Sequence, residues 1–158
     1  MKAISVKQPW ASLICAGIKD IENRTWKCPK KYIGQRILIH ASGAKMESLF
    51  DFLTKDQLEA THRKLGYMYD FDKVFARSAI IGSVEIVDCV VNHPSIWAEK
   101  NDSKPIYNWV LANPILFAKP ISNIKGKLGF WDFNLPEGLI QYFKSVIYDS
   151  KAKNAHPL

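Results

Sequence analysis

The segment from Gly17 to Trp26 constrains the fold most strongly, because a helical pattern ends there and a strict alternation begins. Before it, Pro9 suits the first turn of a helix, and apolar residues recur at helical spacing across 10–18. Gly17 predicts the C-terminus of that helix. We therefore expect a short helix followed at once by a β-strand.

The predicted strand over 20–26 carries charge on one face. Side chains alternate between the two faces of a strand, so every second residue shares a side. One face carries Asp20, Glu22, Arg24 and Trp26, and the other carries Ile21, Asn23 and Thr25. A face that holds a carboxylate and a guanidinium does not pack into an ordinary apolar core. It lines either solvent or a polar cavity.

The rest of the chain alternates between strand and helix patterns. Strand candidates cover 4–6, 36–41, 79–91, 107–111, 115–117 and 124–131, and helical patterns cover 44–66 and 139–147. Gly82 indicates a bulge or a close backbone approach within the longest strand candidate. Thr54 and Gln57 resemble a capping box, so we expect two helices to meet near Thr54. Short strands with helices between them predict a small, curved α+β barrel.

Composition excludes several classes of protein. At 158 residues and 47% hydrophobic residues, the chain suits one globular domain. No apolar run approaches the roughly 20 residues of a membrane-spanning helix, and residues 1–7 are too polar for a secretory signal. Three cysteines without Cys-x-x-Cys spacing and four scattered histidines indicate no disulfide framework and no metal site. We expect a soluble cytoplasmic protein without metal, cofactor or membrane partner.

The net charge of +7 is unevenly spread. Residues 1–45 carry nine Lys/Arg and two Asp/Glu (+7), residues 46–102 carry six and ten (−4), and residues 103–158 carry seven and three (+4). This pattern favours a surface that faces an anion, such as nucleic acid or a nucleotide-like ligand. The alternative, that a basic protein binds nothing anionic, stays open on charge alone.

Lys19, Glu22 and Arg24 are the leading site candidates. The two cations could hold an anionic or carbonyl-bearing ligand, while the carboxylate accepts from an amino group or acts as a general base. Lys19 and Glu22 are therefore also candidate catalytic residues. The alternative is an exposed, salt-bridged strand edge.

Three rings and four lysines complete the candidate set. Trp26 shares the predicted face of Glu22 and is the candidate stacking platform, whereas Trp10 is balanced between core and ligand. His40 ends an apolar strand and is either a ligand contact or a hydrogen-bonded structural residue. The candidate phosphate contacts are turn residues: Lys30, Lys31, Lys125 and Lys127. The alternative is that these four lysines are solvent-exposed charges in turns and contact no ligand.

Several ordered motifs resemble one known family. They are Gln8–Ile14, Gly17-Ile18-Lys19-x-x-Glu22-x-Arg24-x-Trp26, Gly34-x-Arg36 with the run to Ala41, Gly82–Cys89, Tyr107–Pro114 and Ile124–Gly126. Together they resemble the activating signal cointegrator homology (ASCH) domain across about residues 3–133. The resemblance implies an α+β fold: a PUA-like small β-barrel with an N-terminal helix, an inserted helical segment and a C-terminal helix. It implies an ASCH domain over 1–135, with 44–75 as a helical elaboration, and a C-terminal helix and tail over 136–158.

The resemblance also sets the functional hypotheses. Family members are associated with RNA metabolism, translation or transcriptional co-activation, and some bind nucleic acid. A bacterial branch hydrolyses the amide of acetylcytidine with a lysine, a threonine and a glutamate. Lys19 matches that lysine, but Glu22 stands where that branch has threonine, and Glu85 is only a candidate for the later glutamate.

We therefore expect a binding module for RNA, single-stranded nucleic acid or a modified nucleoside. Its ligand would lie in a cleft lined by Lys19, Glu22, Arg24 and Trp26. The first alternative is a hydrolase of a nucleoside amide or RNA phosphodiester that uses Lys19 and Glu22. The second is a protein-interaction adaptor that uses residues 44–75.

Overall fold

The computed structural model describes residues 1–45, 53–66 and 75–142. The strands are β1 Lys2–Val6, β2 Ile21–Arg24, β3 Gln35–Ala41, β4 Ala79–Val90, β5 Tyr107–Ile121 and β6 Trp131–Asp132. The helices are α1 Trp10–Cys15 and α2 Lys55–Leu65, with a 3-10 turn at Lys30–Tyr32; residues 137–142 are also helical. The predicted α+β class is thus confirmed.

The strands form one mixed sheet in the order β2-β5-β4-β3-β1-β6. β1 runs parallel to β3, and the other neighbouring strands are antiparallel. The predicted small β-barrel is not confirmed: the sheet is not closed, because among the described residues β2 pairs only with β5 and β6 pairs only with β1. A barrel needs hydrogen bonds between its first and last strands. Here the edge strands are four and two residues long and stay apart in the strand order.

Helix α1 lies on the sheet over β3, β4 and β5. Gly17 has a φ of 70° directly after the C-cap residue, as expected for the residue that ends this helix. A Cβ built at Gly82 would clash with the Ile115 carbonyl oxygen and lie 2.7 Å from Cys15 Sγ. The close backbone approach predicted for Gly82 is therefore confirmed, and it lets α1 pack tightly on β4.

Apolar side chains fill both faces of the sheet. The face under α1 buries residues of α1, β1, β3, β4 and β5, among them Ile14, Cys15, Ile37, Ile39, Val84 and Trp109. The opposite face buries Ala3, Leu38, Ile80, Phe117, Trp131 and Leu135. Alternate residues of β3 thus enter different cores, which fixes its register against β1 and β4.

Two sequence-predicted strands are a single strand in the structure. Residues 107–111 and 115–117, which the sequence predicts as separate strands on either side of Pro114, both lie in β5. The register passes from Glu85↔Ala112 to Ser83↔Ile115, so two β5 residues face one β4 residue. Asn113 has a φ of 50° there. A bulge accepts a proline because the missing N–H needs no ladder partner.

The strand predicted over 124–131 is wrong, because only Trp131 and Asp132 pair with β1. Asn123 and Gly129 have φ values of 61° and 64°, which strands do not adopt. Between them, a Cβ at Gly126 would lie 2.6 Å from the His40 ring. The segment is therefore a loop that crosses closely over His40.

The capping box that begins α2 is confirmed. The Thr54 hydroxyl accepts from the Gln57 N–H, and the Gln57 side chain accepts from the Thr54 N–H. The other predicted helix of 44–66 falls largely on 46–52, which lie outside the described residues. The same holds for the end of the helix predicted over 139–147. Within the described ranges, no helix has the length and apolar character needed to cross a membrane.

Candidate functional site

A cleft of about 490 Å³ opens where β1 and β3 end, beside the edge strand β2. Because β1 and β3 are parallel, the residues that follow them meet at the same end of the sheet. The cleft is lined by Ser5, Val6, Lys7, Trp10, Lys19, Glu22, Asn23, Arg24, Ser42, Ala44 and Glu99. Its volume falls within the roughly 300–1,000 Å³ that is usual for small-molecule sites.

A buried ion-pair cluster forms one wall of this cleft. Lys19 and Glu22 are only 5% and 6% exposed. Glu22 lies between two cations: its Oε2 is 4.0 Å from Lys19 Nζ and its Oε1 is 2.8 Å from Arg24 Nε. Lys19 also donates a hydrogen bond to the Ile21 carbonyl oxygen. The cluster is therefore enclosed, and the alternative of an exposed strand edge does not hold for Lys19 and Glu22.

The cluster retains unused hydrogen-bonding capacity. Arg24 Nη2 donates to the Ser5 carbonyl oxygen at 2.8 Å. The buried Arg24 Nε forms an ion pair with Glu22 at 2.8 Å but no complete hydrogen bond among the described residues. The buried Ser42 hydroxyl likewise lacks a partner in this part of the chain. Buried polar groups are normally satisfied, because leaving one unpaired costs about 1–3 kcal/mol. The cleft wall is thus suited to a polar ligand.

Trp10 supplies the aromatic surface of the cleft. It is the first residue of α1 and is half-buried. The Trp97 ring packs edge-on against it at 6.4 Å, and Lys19 Nζ lies 5.6 Å from its centroid. These two contacts hold the indole in place at the cleft.

Two asparagines fix the loop that carries Glu99. Asn108 donates to Asn23 Oδ1 at 2.9 Å and to the Glu99 carbonyl oxygen at 3.1 Å. Asn23 Oδ1 accepts from the Glu99 N–H, and its amide donates to the Trp97 carbonyl oxygen. Sequence reasoning missed Glu99 and Ser42 as cleft residues, because they lie in loops and carry no motif. Asn23, predicted on the opposite face from Glu22, lines the cleft as well.

Two predicted ligand contacts lie away from the cleft lining. Trp26 follows β2, and its ring packs edge-on against Trp109 at 4.7 Å and Phe130 at 5.9 Å. The alternation that would place it beside Glu22 stops because β2 ends at Arg24. His40 is 1% exposed, with Nδ1 3.2 Å from Ser5 Oγ and Nε2 2.9 Å from the Ile124 carbonyl oxygen. Both residues thus have structural contacts.

The four lysines proposed as phosphate contacts also lie outside the cleft lining. Lys31 lines a second cavity of about 390 Å³ with Lys2 and Arg36, at the start of β1 and β3. Lys30 is exposed in the neighbouring 3-10 turn, and Lys125 and Lys127 are exposed on the 122–130 loop. Their contact with phosphate stays a prediction. Across the described ranges, no group of three His, Cys, Asp or Glu side chains could hold a metal ion.

Burial lowers the pKa of Lys19, because the charged ammonium is poorly solvated inside the protein. The negative charge of Glu22 opposes this shift most strongly, followed by those of Glu99 and Asp20. The Lys19 amine is therefore neutral more often than that of a surface lysine. A neutral amine can accept a proton, so Lys19 is suited to proton transfer.

We expect the pKa of the Lys19 amine to lie below the ordinary lysine value of 10.5, as measured by NMR of its Cε methylene against exposed lysines. Since its folded pKa lies below its unfolded pKa, the unfolded chain binds more protons between these two values. The contribution of Lys19 to the free energy of unfolding therefore rises with pH across that window. The free energy of unfolding of the wild type, relative to that of Lys19→Met, should therefore increase as the pH increases. A Lys19 midpoint at or above 10.5 would contradict the expectation.

The open mixed sheet and the cleft beside its N-terminal helix define an α+β protein with a polar cleft suited to a small ligand. The sequence matches the ASCH domain family over residues 4–121. Because this match covers most of the chain, the protein belongs to the ASCH domain family.

Two curated relatives and one solved structure agree with this assignment. Activating signal cointegrator 1 of Homo sapiens is 34% identical over 88 residues, and that of Mus musculus is 33% identical over 88 residues. Each alignment covers 55% of this chain but only 14% of the relative. The crystal structure of ASCH from Zymomonas mobilis has a TM-score of 0.51 at 14% identity, covering 91% of this chain and 93% of that one. This last likeness concerns the fold alone.

Proposed function

We propose that this ASCH domain binds single-stranded nucleic acid, RNA in particular, or a modified nucleoside in the cleft beside β2. The observation that carries the proposal is the buried Glu22 carboxylate between Lys19 and Arg24, in a cavity of about 490 Å³. A nucleobase is a planar group whose edge carries both donors and acceptors, as this wall requires. The ASCH family, which is related to RNA binding, supports the same class of ligand.

Each cleft residue has a distinct role in this proposal. Trp10 stacks on the base, in place of Trp26, which is already packed between Trp109 and Phe130. Glu22 accepts from N–H groups of the base, and Arg24 donates to its carbonyl or to phosphate. Lys7 is exposed at the same cleft and contacts the backbone.

The basic surface outside the cleft would contribute affinity without base selectivity. Lys30, Lys31, Lys125 and Lys127 are exposed and carry no ion pair among the described residues. Phosphate contacts of this kind release counterions, so binding weakens as salt increases. The basic first and last thirds of the chain suit an extended polyanion.

Anisotropy titration of a labelled oligouridine of about 12 nucleotides tests the proposal. Trp10→Ala should weaken binding by about 5- to 100-fold, because base stacking is worth about 1–3 kcal/mol. Lys7→Gln should weaken it less and flatten the salt dependence between about 50 and 200 mM. Lys119→Gln, which changes an exposed lysine outside the cleft, is the matched control and should leave affinity unchanged.

Thermal unfolding of each variant separates lost contacts from lost structure. If wild type fails to bind RNA and single-stranded DNA at low salt, the proposal is wrong. If binding is normal in a folded Trp10→Ala variant, the cleft is not the binding site.

The lowered pKa of Lys19 beside Glu22 supports a second candidate function, hydrolysis of a nucleoside amide or an RNA phosphodiester. A neutral Lys19 amine would remove a proton from water, and Glu22 would stabilise the resulting ammonium. Mass spectrometry of the same RNA mixtures, and of acylated nucleosides, detects products. Turnover that persists in Lys19→Met would remove Lys19 from the mechanism.

A further inference from the structure

The hydrogen-bonding pattern of β2 is the feature that points to a particular base. Both Glu22 oxygens are acceptors, and neither accepts a geometrically complete hydrogen bond among the described residues. The partly exposed Arg24 guanidinium lies beside that carboxylate, with Nε 2.8 Å from Oε1. The wall therefore presents two adjacent acceptors followed by a donor.

The standard bases differ in whether they complement this order. The Watson–Crick edge of guanine carries the N2 and N1 donors followed by the O6 acceptor. Adenine and cytosine each place a single donor group next to an acceptor, and uracil has one N–H between two carbonyls. Guanine alone among the four thus offers two neighbouring donors to one carboxylate.

We propose that the cleft selects guanine, with Glu22 accepting from N1–H and N2–H and the guanidinium of Arg24 donating to O6. This inference rests on the proposed function and names its base. Lys19, tied to the Ile21 carbonyl oxygen, acts as a positioning residue that holds Glu22 at the wall.

Burial converts this complementarity into selectivity. Glu22 is 6% exposed, so water does not readily replace a missing donor. A base with an acceptor opposite the carboxylate would leave a buried charge facing a lone pair, which is strongly unfavourable. A site built on polar contacts discriminates far more sharply than an apolar pocket of the same size.

The test uses labelled oligouridines of about 12 nucleotides that carry one central guanine, inosine, adenine, cytosine or uracil. We expect the guanine oligonucleotide to bind at least about tenfold more tightly than the adenine, cytosine and uracil ones. Inosine keeps N1–H and O6 but lacks the N2 amino group. The affinity of the inosine oligonucleotide should therefore lie between that of the guanine oligonucleotide and those of the other three. Measurement by fluorescence anisotropy gives all five affinities under one condition.

Two variants connect the preference to the carboxylate. Glu22→Gln replaces one acceptor by a donor, so the guanine preference should fall to within about threefold. Glu85→Gln changes a glutamate that pairs with Arg36 outside the cleft lining, and it should keep the full preference. If Glu22→Gln does not fold, the wild-type comparison of guanine with inosine still decides the proposal.

The outcomes separate the two proposals. Equal affinity for all five oligonucleotides would overturn guanine selection while leaving nucleic-acid binding intact. Tighter binding of adenine, cytosine or uracil would overturn it as well. Failure of wild type to bind any of them would overturn the proposed function and, with it, this inference.

Discussion

Glu22→Ala is expected to lower the free energy of unfolding by about 3 kcal/mol near neutral pH. The substitution leaves Lys19, which is 5% exposed, without the carboxylate that opposes its desolvation. The pKa of Lys19 falls further, since the negative charge of Glu22 is the leading contribution that raises it. At alkaline pH the amine is more often neutral, so the loss should be smaller there. Urea unfolding at about pH 7 and about pH 10 measures both values.

Glu85→Ala is the matched control for Glu22→Ala. Glu85 also pairs with an arginine, Arg36, at 2.9 Å, but its side chain is 28% exposed. We expect it to cost only about 1 kcal/mol, because a partly exposed pair is screened by water. Equal losses for the two variants, or a Glu22→Ala loss that does not depend on pH, would contradict the role assigned to burial.

Trp109→Ala is expected to lower the free energy of unfolding by about 4 kcal/mol. Trp109 is fully buried, and it pairs directly with Glu22 across the β2–β5 ladder. Its ring stacks on Phe130 at 5.4 Å and meets Trp26 edge-on at 4.7 Å. Truncation opens a cavity behind β2 and removes both ring contacts. Urea unfolding gives the free energy, and near-ultraviolet circular dichroism reports the packing of the remaining indoles.

Trp26→Ala provides the comparison for Trp109→Ala. Trp26 belongs to the same ring cluster but is only half-buried, so its removal should cost less. If Trp109→Ala costs less than Trp26→Ala, the buried indole is not the main support of the cluster.

Local patterns predicted much of the fold because they reflect interactions between near neighbours. Gly17 marks the change from helix to strand, since a glycine readily takes the positive φ that ends α1. Thr54 and Gln57 satisfy each other's backbone groups within one turn. Long-range pairing was harder to predict. Pro114 reads as a break between strands, but a bulge opposite β4 accommodates it, and the edges of the sheet do not join.

The sequence likewise predicted some residues of the candidate site and missed others. Period-two alternation placed Glu22 and Arg24 together, and both line the cleft with Lys19. It also placed Trp26 with them, because the pattern does not reveal that β2 ends at Arg24. Trp10, Ser42 and Glu99 come to the cleft from separate elements. Their proximity depends on how those elements pack, which sequence spacing does not encode.

The sequence by itself determined that a charged strand follows a helix at Gly17, that the protein is an α+β ASCH domain and that the first and last thirds of the chain are basic. The tertiary structure decided that Lys19 and Glu22 are buried, that Trp10 rather than Trp26 lines the cleft, and that the sheet stays open. The physical reason is the range of the interactions. Turns, caps and alternation depend on neighbours along the chain, whereas burial depends on which distant elements exclude water from the same side chain.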